Sequence, residues 1–221
     1  MATAKDRQSL AVWEEFHKSL LRGVEVDNSL TRQDIERQRA QLERDPIEWI
    51  KFFFPAYAKY EFAPFHIRAI RRVIANDEWY EVLSWSRELA KSTVAMFILM
   101  FLTLTRRKRF VALASATIDS AKRLLLPFKI NFESNPRIRQ FYGEQTTIGQ
   151  WTDSEFSCRC GAKFIALGAG SAPRGMRNEA IRPDILYFDD YDTDEDCRNP
   201  VTLDKKWDWA EHALYPTRSI S

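Results

Sequence analysis

Apolar residues along this chain gather into short blocks that charged and polar stretches separate. The strongly apolar block at residues 94–104 is typical of a buried helix. Its eleven residues are too few for a membrane span, which needs about 20. Shorter apolar blocks predict β-strands at residues 81–85, from Phe110 onward, and at residues 185–188, where two carboxylates follow.

The order of these elements predicts the fold class. From about residue 79 the chain reads strand, loop, helix, strand, helix, and then an alternating segment that turns near Gly161 like a β-hairpin. The acidic strand comes last. We therefore expect an α/β fold with a mostly parallel sheet, helices on both faces and an inserted β-hairpin, with ligands at the carboxyl ends of the strands.

The N-terminal region differs in character. Residues 1–44 are polar and rich in charge, and Thr31 with Asp34 forms a capping pattern that predicts a helix over residues 31–44. We expect this region to form a helical arm or lid, with one domain over residues 45–221. Pro46 is typical of a helix start, and an aromatic pair, Phe65 and His66, stands at the start of another predicted helix.

A Lys-Ser pair follows the first predicted strand at the point where the long apolar helix begins. Lys91 could reach the β- and γ-phosphates of a nucleotide, and the Ser92 hydroxyl could bind Mg²⁺. Trp85 and Ala90 stand where a phosphate-binding loop usually has glycines. The alternative is an ordinary turn with Lys91 as a solvated residue at the helix start.

Two carboxylates, Asp189 and Asp190, end the apolar strand near the C-terminus. In phosphate-loop folds such a strand ends in an acid that holds Mg²⁺, and the next acid can polarise the attacking water. Paired acids also occur as helix caps or surface turns. Because both patterns follow predicted strands and lie about a hundred residues apart, their combination favours nucleotide hydrolysis.

Composition and charge are those of a compact domain. The 221 residues are 45% hydrophobic with a formal charge of +2, so the net charge gives no reason to expect binding to nucleic acid. A basic run at residues 106–109 could contact DNA, although such a run is also typical of a solvated helix end. Cys158 and Cys160 could be half of a zinc site, but no second ligand pair lies at suitable spacing.

The loop sequence from Arg87 to Ser92 matches R-x-x-[G/A]-K-[ST] and resembles the ATPase domain of the large terminase subunit of tailed bacteriophages, which drives DNA into the procapsid. Segments similar to that family also occur around residues 110–124, 132–138, 174–177, 182–190 and 194–200. The similar features span about residues 45–215 in family order.

This resemblance implies a P-loop ATPase that uses ATP and Mg²⁺. Lys91 would neutralise the transferring phosphoryl group, Ser92 and Asp189 would hold Mg²⁺, Asp190 would orient water, and Arg87 would stabilise charge on the γ-phosphate. The nucleotide-binding loop would comprise Arg87, Glu88, Leu89, Ala90, Lys91, Ser92 and Thr93. Phe65 and His66 would contact the adenine, unless their aromatic cluster is simply core.

One departure concerns the base. Most terminases place Glu after the metal-binding Asp, so Asp192 or Glu195 is an alternative to Asp190. The resemblance further implies partners: double-stranded DNA, a portal protein, a small terminase subunit and other copies in a ring, in the cytoplasm of the host cell with no membrane. We expect the isolated chain to be monomeric.

The resemblance also implies that the chain ends before the family's coupling motif and nuclease domain, so we expect no nuclease activity. Two alternatives belong to other classes. A helicase-like DNA-dependent ATPase should carry a second ATPase-like half, and a non-catalytic assembly scaffold would retain the fold with a weak site.

Overall fold

The computed structural model describes residues 14–15, 18–19, 22–171 and 181–219. Over these residues the chain is α/β, with seven α-helices and one mostly parallel four-stranded sheet. It divides into two compact units. The first comprises the described residues up to Phe101 together with Ile130–Glu144, and the second comprises Leu102–Lys129 with the described residues from Gln145 onward. The segment at 174–177 lies outside the described residues.

The helices are α1 (Arg32–Leu42), α2 (Pro46–Phe53), α3 (Pro64–Ala75), α4 (Lys91–Leu104), α5 (Ile118–Ser134), α6 (Pro136–Tyr142) and α7 (Pro200–Asp208). Their starts follow local sequence signals. Thr31 and Asp34 form the predicted capping box before α1, and Asp45 caps α2 with proline at its first position. The helix predicted over residues 31–44 is confirmed, ending at Leu42.

The first unit has an aromatic core. Trp49 is fully buried, and its ring lies 4.8 Å from that of Phe53 and 5.2 Å from that of Phe101 on α4. The indole N–H donates to the Tyr142 hydroxyl at 2.8 Å, so its polar atom is satisfied. From Val94 to Leu104 every residue of α4 is buried, which confirms the predicted buried helix.

The predicted strand at residues 81–85 is wrong. The structure assigns neither helix nor strand between the end of α3 and the start of α4. Exposed and half-buried side chains alternate there, with Val82 64% exposed, while Trp85 packs on Phe65 with ring centroids 4.9 Å apart. The alternation thus reflects side chains that pack on one side of this segment. It is not a strand, because a strand also needs a hydrogen-bonded partner.

The sheet lies in the second unit, with the order β2, β3, β1, β4 for β1 (Phe110–Ser115), β2 (Glu155–Ser157), β3 (Lys163–Gly168) and β4 (Ile185–Phe188). The central strand β1 is buried along its whole length and pairs in parallel with β3 and β4. The antiparallel pair of β2 with β3 is the predicted hairpin, and Gly161 in its turn has a φ of 94°. The apolar strands predicted at Phe110 and Ile185 are confirmed.

Close contacts fix both the starts and the ends of these strands. The Asp184 carboxylate accepts the backbone N–H groups of Arg109 at 2.7 Å and Phe110 at 2.8 Å, which joins the starts of β4 and β1. At the other end, a Cβ on Gly168 would lie 2.7 Å from the backbone nitrogen of Ile118, so only glycine fits where β3 meets the start of α5. After β4 the described chain continues with a 3₁₀ turn, α7, the π-helix Trp209–Leu214 and a final 3₁₀ turn.

Among the described residues, no helix combines the length and apolar character needed to cross a membrane.

Candidate functional site

The predicted site residues are divided between the two units. The loop residues Arg87 to Thr93 belong to the first unit, as do Phe65 and His66. The acidic residues Asp189, Asp190, Asp192 and Glu195 belong to the second.

The loop turns sharply before α4. Glu88 has a φ of 67° and Ala90 a φ of 55°, in the left-handed region that favours glycine. The helix follows at once, with the Val94 N–H donating to the Ala90 carbonyl at 2.9 Å. Ala90 stands where the pattern of a phosphate-binding loop has its second glycine. Its backbone has the conformation for which glycine is usually selected. Trp85, at the first glycine position, is not among the residues with positive φ.

The Lys91 side chain forms hydrogen bonds back to the start of its own loop. Its Nζ donates to the carbonyl of Trp85 at 2.6 Å and to that of Ser86 at 3.3 Å. The ammonium thus lies inside the curve of the loop. The side chains around it are mostly open to solvent: Arg87, Glu88, Leu89, Ala90 and Ser92 are exposed, and Thr93 is half-buried.

His66 ties α3 to this loop. The backbone N–H of Ala63 donates to Nδ1 at 3.3 Å, so Nδ1 is the acceptor and Nε2 carries the hydrogen. Nε2 donates to the Leu89 carbonyl at 3.0 Å, one residue before Ala90. Both ring nitrogens therefore have partners within the protein. The structure brings His66 and Phe65 to the loop, where their rings pack on Trp85.

The acid pair follows β4 directly. Asp189 is half-buried, its N–H donates to the Ala114 carbonyl at 3.1 Å, and its Oδ2 accepts the Tyr187 hydroxyl at 2.7 Å. Asp190 is exposed and has a φ of 44°. Its carbonyl accepts the Ala116 N–H at 3.2 Å, so the acid lies beside the end of β1.

Four non-glycine residues of the described chain have positive φ: Glu88, Ala90, Arg106 and Asp190. Three of them lie in the two candidate motifs. Such strain costs of order 1–3 kcal/mol and persists where the surrounding structure maintains it, often at functional positions.

The two alternative bases differ in their surroundings. Asp192 has its Oδ1 3.9 Å from the Nζ of Lys206, whereas Glu195 is exposed. Lys206 also donates to Asp196 Oδ2 at 2.6 Å, and this bond, followed by those from the side chain and backbone of Thr193, lowers the pKa of Asp196 to about 2. Asp196 is therefore a structural anion, and Lys206 holds the segment that follows the acid pair.

A cavity of about 340 Å³ opens in the second unit at the carboxyl ends of β1 and β3. Ligands of open α/β sheets bind at this edge. The lining residues are Ala116, Thr117, Ala169, Gly170, Thr193, Asp196, Thr202, Lys205 and Lys206.

Sequence reasoning missed Tyr187, whose hydroxyl holds the Asp189 carboxylate. Its position two residues before Asp189 was a usable signal, because residues i and i+2 of a strand share a face. The hydrogen bond from His66 to Leu89 left no such signal, since 23 residues separate the two.

Comparison with family models, with curated proteins and with solved structures finds no match for this chain. Across the described residues, no group of three or more His, Cys, Asp or Glu side chains is arranged to hold a metal ion.

Proposed function

We propose that this chain is the ATPase part of a tailed-bacteriophage terminase large subunit, which hydrolyses ATP to move double-stranded DNA into the procapsid. The observation that carries the proposal is the loop directly before α4. It combines Lys91 and Ser92 at a helix start with a left-handed Ala90 one residue earlier. A helix N-terminus favours phosphate because its first N–H groups have no partner within the helix.

The acid pair supports the same proposal from the second unit. Asp189 and Asp190 follow a strand that pairs with the buried β1, so both acids stand at the carboxyl edge of the sheet. The donors proposed for Mg²⁺ are the Ser92 hydroxyl of the first unit and the Asp189 carboxylate of the second, and each is an oxygen of the kind that this hard cation prefers. When bound, Mg²⁺ supplies positive charge to the β- and γ-phosphates.

The residues of the chain then have separate roles. The Lys91 ammonium would exchange its bonds to the loop carbonyls for bonds to phosphate oxygens. Arg87, exposed at the turn, would approach charge that develops on the γ-phosphate. The exposed Asp190 would accept a hydrogen bond from the attacking water and orient it. His66 would hold the loop backbone in place.

The partners follow from the same proposal: double-stranded DNA, a portal protein, a small terminase subunit and further copies in a ring on the procapsid, within the host cytoplasm.

Substitution of Lys91 tests the proposal. We expect Lys91→Ala to reduce Mg²⁺-ATP binding at least tenfold, measured by titration calorimetry with and without Mg²⁺, because an ammonium no longer reaches the phosphates. The thermal midpoint should fall by only a few degrees, since the change removes hydrogen bonds to two carbonyls, each worth about 1 kcal/mol.

Lys59→Ala is the matched control, because this lysine is also in the first unit and is exposed. It should bind Mg²⁺-ATP like the unmodified chain. Equal affinity of the Lys91 and Lys59 variants would overturn the phosphate-loop assignment. Absence of any Mg²⁺-dependent binding by the unmodified chain would favour an assembly scaffold instead.

A further inference from the structure

Two cysteines meet in the turn that joins β2 to β3, and the proposed ATPase uses neither. The Cys158 N–H donates to the Ala162 carbonyl at 2.7 Å, and the Gly161 N–H donates back to the Cys158 carbonyl at 2.9 Å. Only Arg159 separates Cys158 from Cys160 in this narrow turn, and a hydrogen bond joins their side chains.

Hydrogen bonds to residues outside this turn hold its backbone. Gln145, which is only 1% exposed, accepts the Cys160 N–H on its side-chain oxygen at 3.2 Å and the Arg159 N–H on its carbonyl at 3.0 Å. The Arg159 side chain in turn donates to the Thr146 carbonyl at 2.9 Å. These bonds keep the two thiols adjacent in the folded protein.

The environments of the two thiols are unequal. Cys158 is buried, and burial, followed by its hydrogen bond to Cys160, raises the pKa of its thiol. Cys160 is half-buried. The hydrogen bond from Cys158 lowers the pKa of Cys160 to about 7 despite partial burial, with further help from the backbone at Ala162 and the charge of Arg106. Cys158 is therefore the enclosed thiol that keeps its proton, and Cys160 is the more exposed thiol that ionises more readily.

We propose that Cys158 and Cys160 form a reversible dithiol–disulfide pair, in which Cys160 is the attacking thiol and Cys158 the resolving thiol. Successive Cα atoms are about 3.8 Å apart, so two residues flanking one residue of a turn come within the roughly 4.4–6.8 Å that a disulfide requires. The substrate class is a hydroperoxide, which supplies the two oxidising equivalents.

The chemistry balances in two steps. The Cys160 thiolate attacks the terminal peroxide oxygen, the O–O bond breaks, and the leaving oxygen takes a proton, which leaves a sulfenic acid on Cys160. The Cys158 sulfur then attacks the Cys160 sulfur, the S–O bond breaks, and the departing hydroxide takes the Cys158 thiol proton to form water. The products are one disulfide, one water and one water or alcohol. An external thiol reverses the reaction by exchange.

Peptide mapping of the full chain tests this pair without any substitution. The protein is treated with graded hydrogen peroxide at pH 7, remaining thiols are alkylated, and the chain is cleaved by a protease that does not cut between the two cysteines. We expect a peptide containing both residues that is lighter by two hydrogen atoms and returns to the dithiol mass with dithiothreitol. The chain should stay free of intermolecular disulfides formed through this pair.

Cys197, which is exposed, is the internal comparison. At pH 7 a thiol of pKa about 7 is half thiolate, so Cys160 should alkylate at least as fast as Cys197, although Cys197 is the more exposed of the two. The alkylation rate of Cys160 should fall on acidification with a midpoint near pH 7, because protonation removes the thiolate.

Two variants complete the test. Cys158→Ser should leave Cys160 as a sulfenic acid that dimedone traps, and Cys160→Ser should leave Cys158 unoxidised in the folded chain. The proposal is overturned if the linked peptide never forms while Cys197 is consumed. It is equally overturned if Cys158 is oxidised just as fast after Cys160→Ser.

Discussion

At the scale of single residues, hydrogen bonds from other parts of the chain lie next to the strained backbone positions. Ala90 and Asp190 adopt left-handed backbone, which costs about 1–2 kcal/mol for an ordinary L-residue. Neighbouring hydrogen bonds maintain each conformation: His66 binds the carbonyl of the residue before Ala90, and the carbonyl of Asp190 accepts from Ala116 and the Ser115 hydroxyl. These contacts hold the backbone at both motifs, although Asp190 tolerates the left-handed conformation by itself and Ala90 does not.

The two carboxylates of the pair should have separable roles. We expect Asp189→Asn to weaken Mg²⁺-ATP binding about tenfold or more, because one metal ligand loses its charge. Asp190→Asn should bind Mg²⁺-ATP within about twofold of the unmodified chain but hydrolyse it roughly 10²–10⁴ times more slowly, since a positioned proton acceptor acts in the transition state. Titration calorimetry and phosphate release measure the two quantities.

Asparagine is a suitable probe at position 190 because Asn, like Asp, tolerates positive φ. Glu195→Gln is the companion variant and should keep its turnover. If Asp190→Asn retains turnover and Glu195→Gln loses it, Glu195 is the base.

At the scale of elements, polar groups set both ends of the short strand β4. The Asp184 carboxylate joins its start to β1 through two backbone N–H groups, and the Asp189 N–H continues the contact past its end by donating to Ala114. Because β1 is buried throughout, this pairing aligns the acid pair with the carboxyl end of the central strand. Asp184 therefore acts on the site through the register of the sheet.

Substitution of Asp184 should show this role. We expect Asp184→Ala to lower the free energy of unfolding by about 2–3 kcal/mol, because two backbone donors lose a charged acceptor. Calorimetry should record a melting point lower by about 4–12 °C, given about 2–4 °C per kcal/mol for a chain of this size.

The matched control is Asp153→Ala, at a side chain that is 89% exposed and 3.6 Å from Lys129. It should change the melting point by no more than about 1–2 °C, because exposed ion pairs contribute little. Equal effects of the two substitutions would show that Asp184 does not hold β4 to β1.

At the scale of the whole molecule, the relevant features are the net charge and the arrangement of side chains that could bind metal ions. Its formal charge is +2, so overall electrostatic attraction to DNA is weak. A two-metal nuclease needs several carboxylates around adjacent ions. No such group of metal-binding side chains occurs in the part of the chain that the structure describes.

The proposed function predicts that residues 1–221 are mainly monomeric, hydrolyse ATP slowly and do not cut DNA. Light scattering, phosphate release and incubation of pure protein with supercoiled plasmid and Mg²⁺ or Mn²⁺ measure these properties. Plasmid cleavage that a substitution within this chain abolishes would contradict the prediction. The Lys91→Ala variant serves as the negative control for hydrolysis.

Features that depend on neighbouring residues could be predicted from the amino-acid order alone. The Thr31 and Asp34 capping pattern and the proline at position 46 predicted helix starts, because both signals act on backbone groups only a few residues away. The uncharged run at residues 94–104 predicted the buried part of α4, since a continuous apolar stretch must leave water. A short apolar strand followed by Asp189 and Asp190 was likewise evident from the residues.

Features that depend on residues distant in the chain required the folded structure. Residues 81–85 carry a strand pattern but have no place in the described sheet, because a strand exists only where a partner supplies its ladder. The roles of Asp184 and His66 come from contacts across 74 and 23 residues, and neither contact has a periodic signature. The left-handed conformation of Ala90 belongs to the same class, since alanine alone disfavours it and the folded loop imposes it.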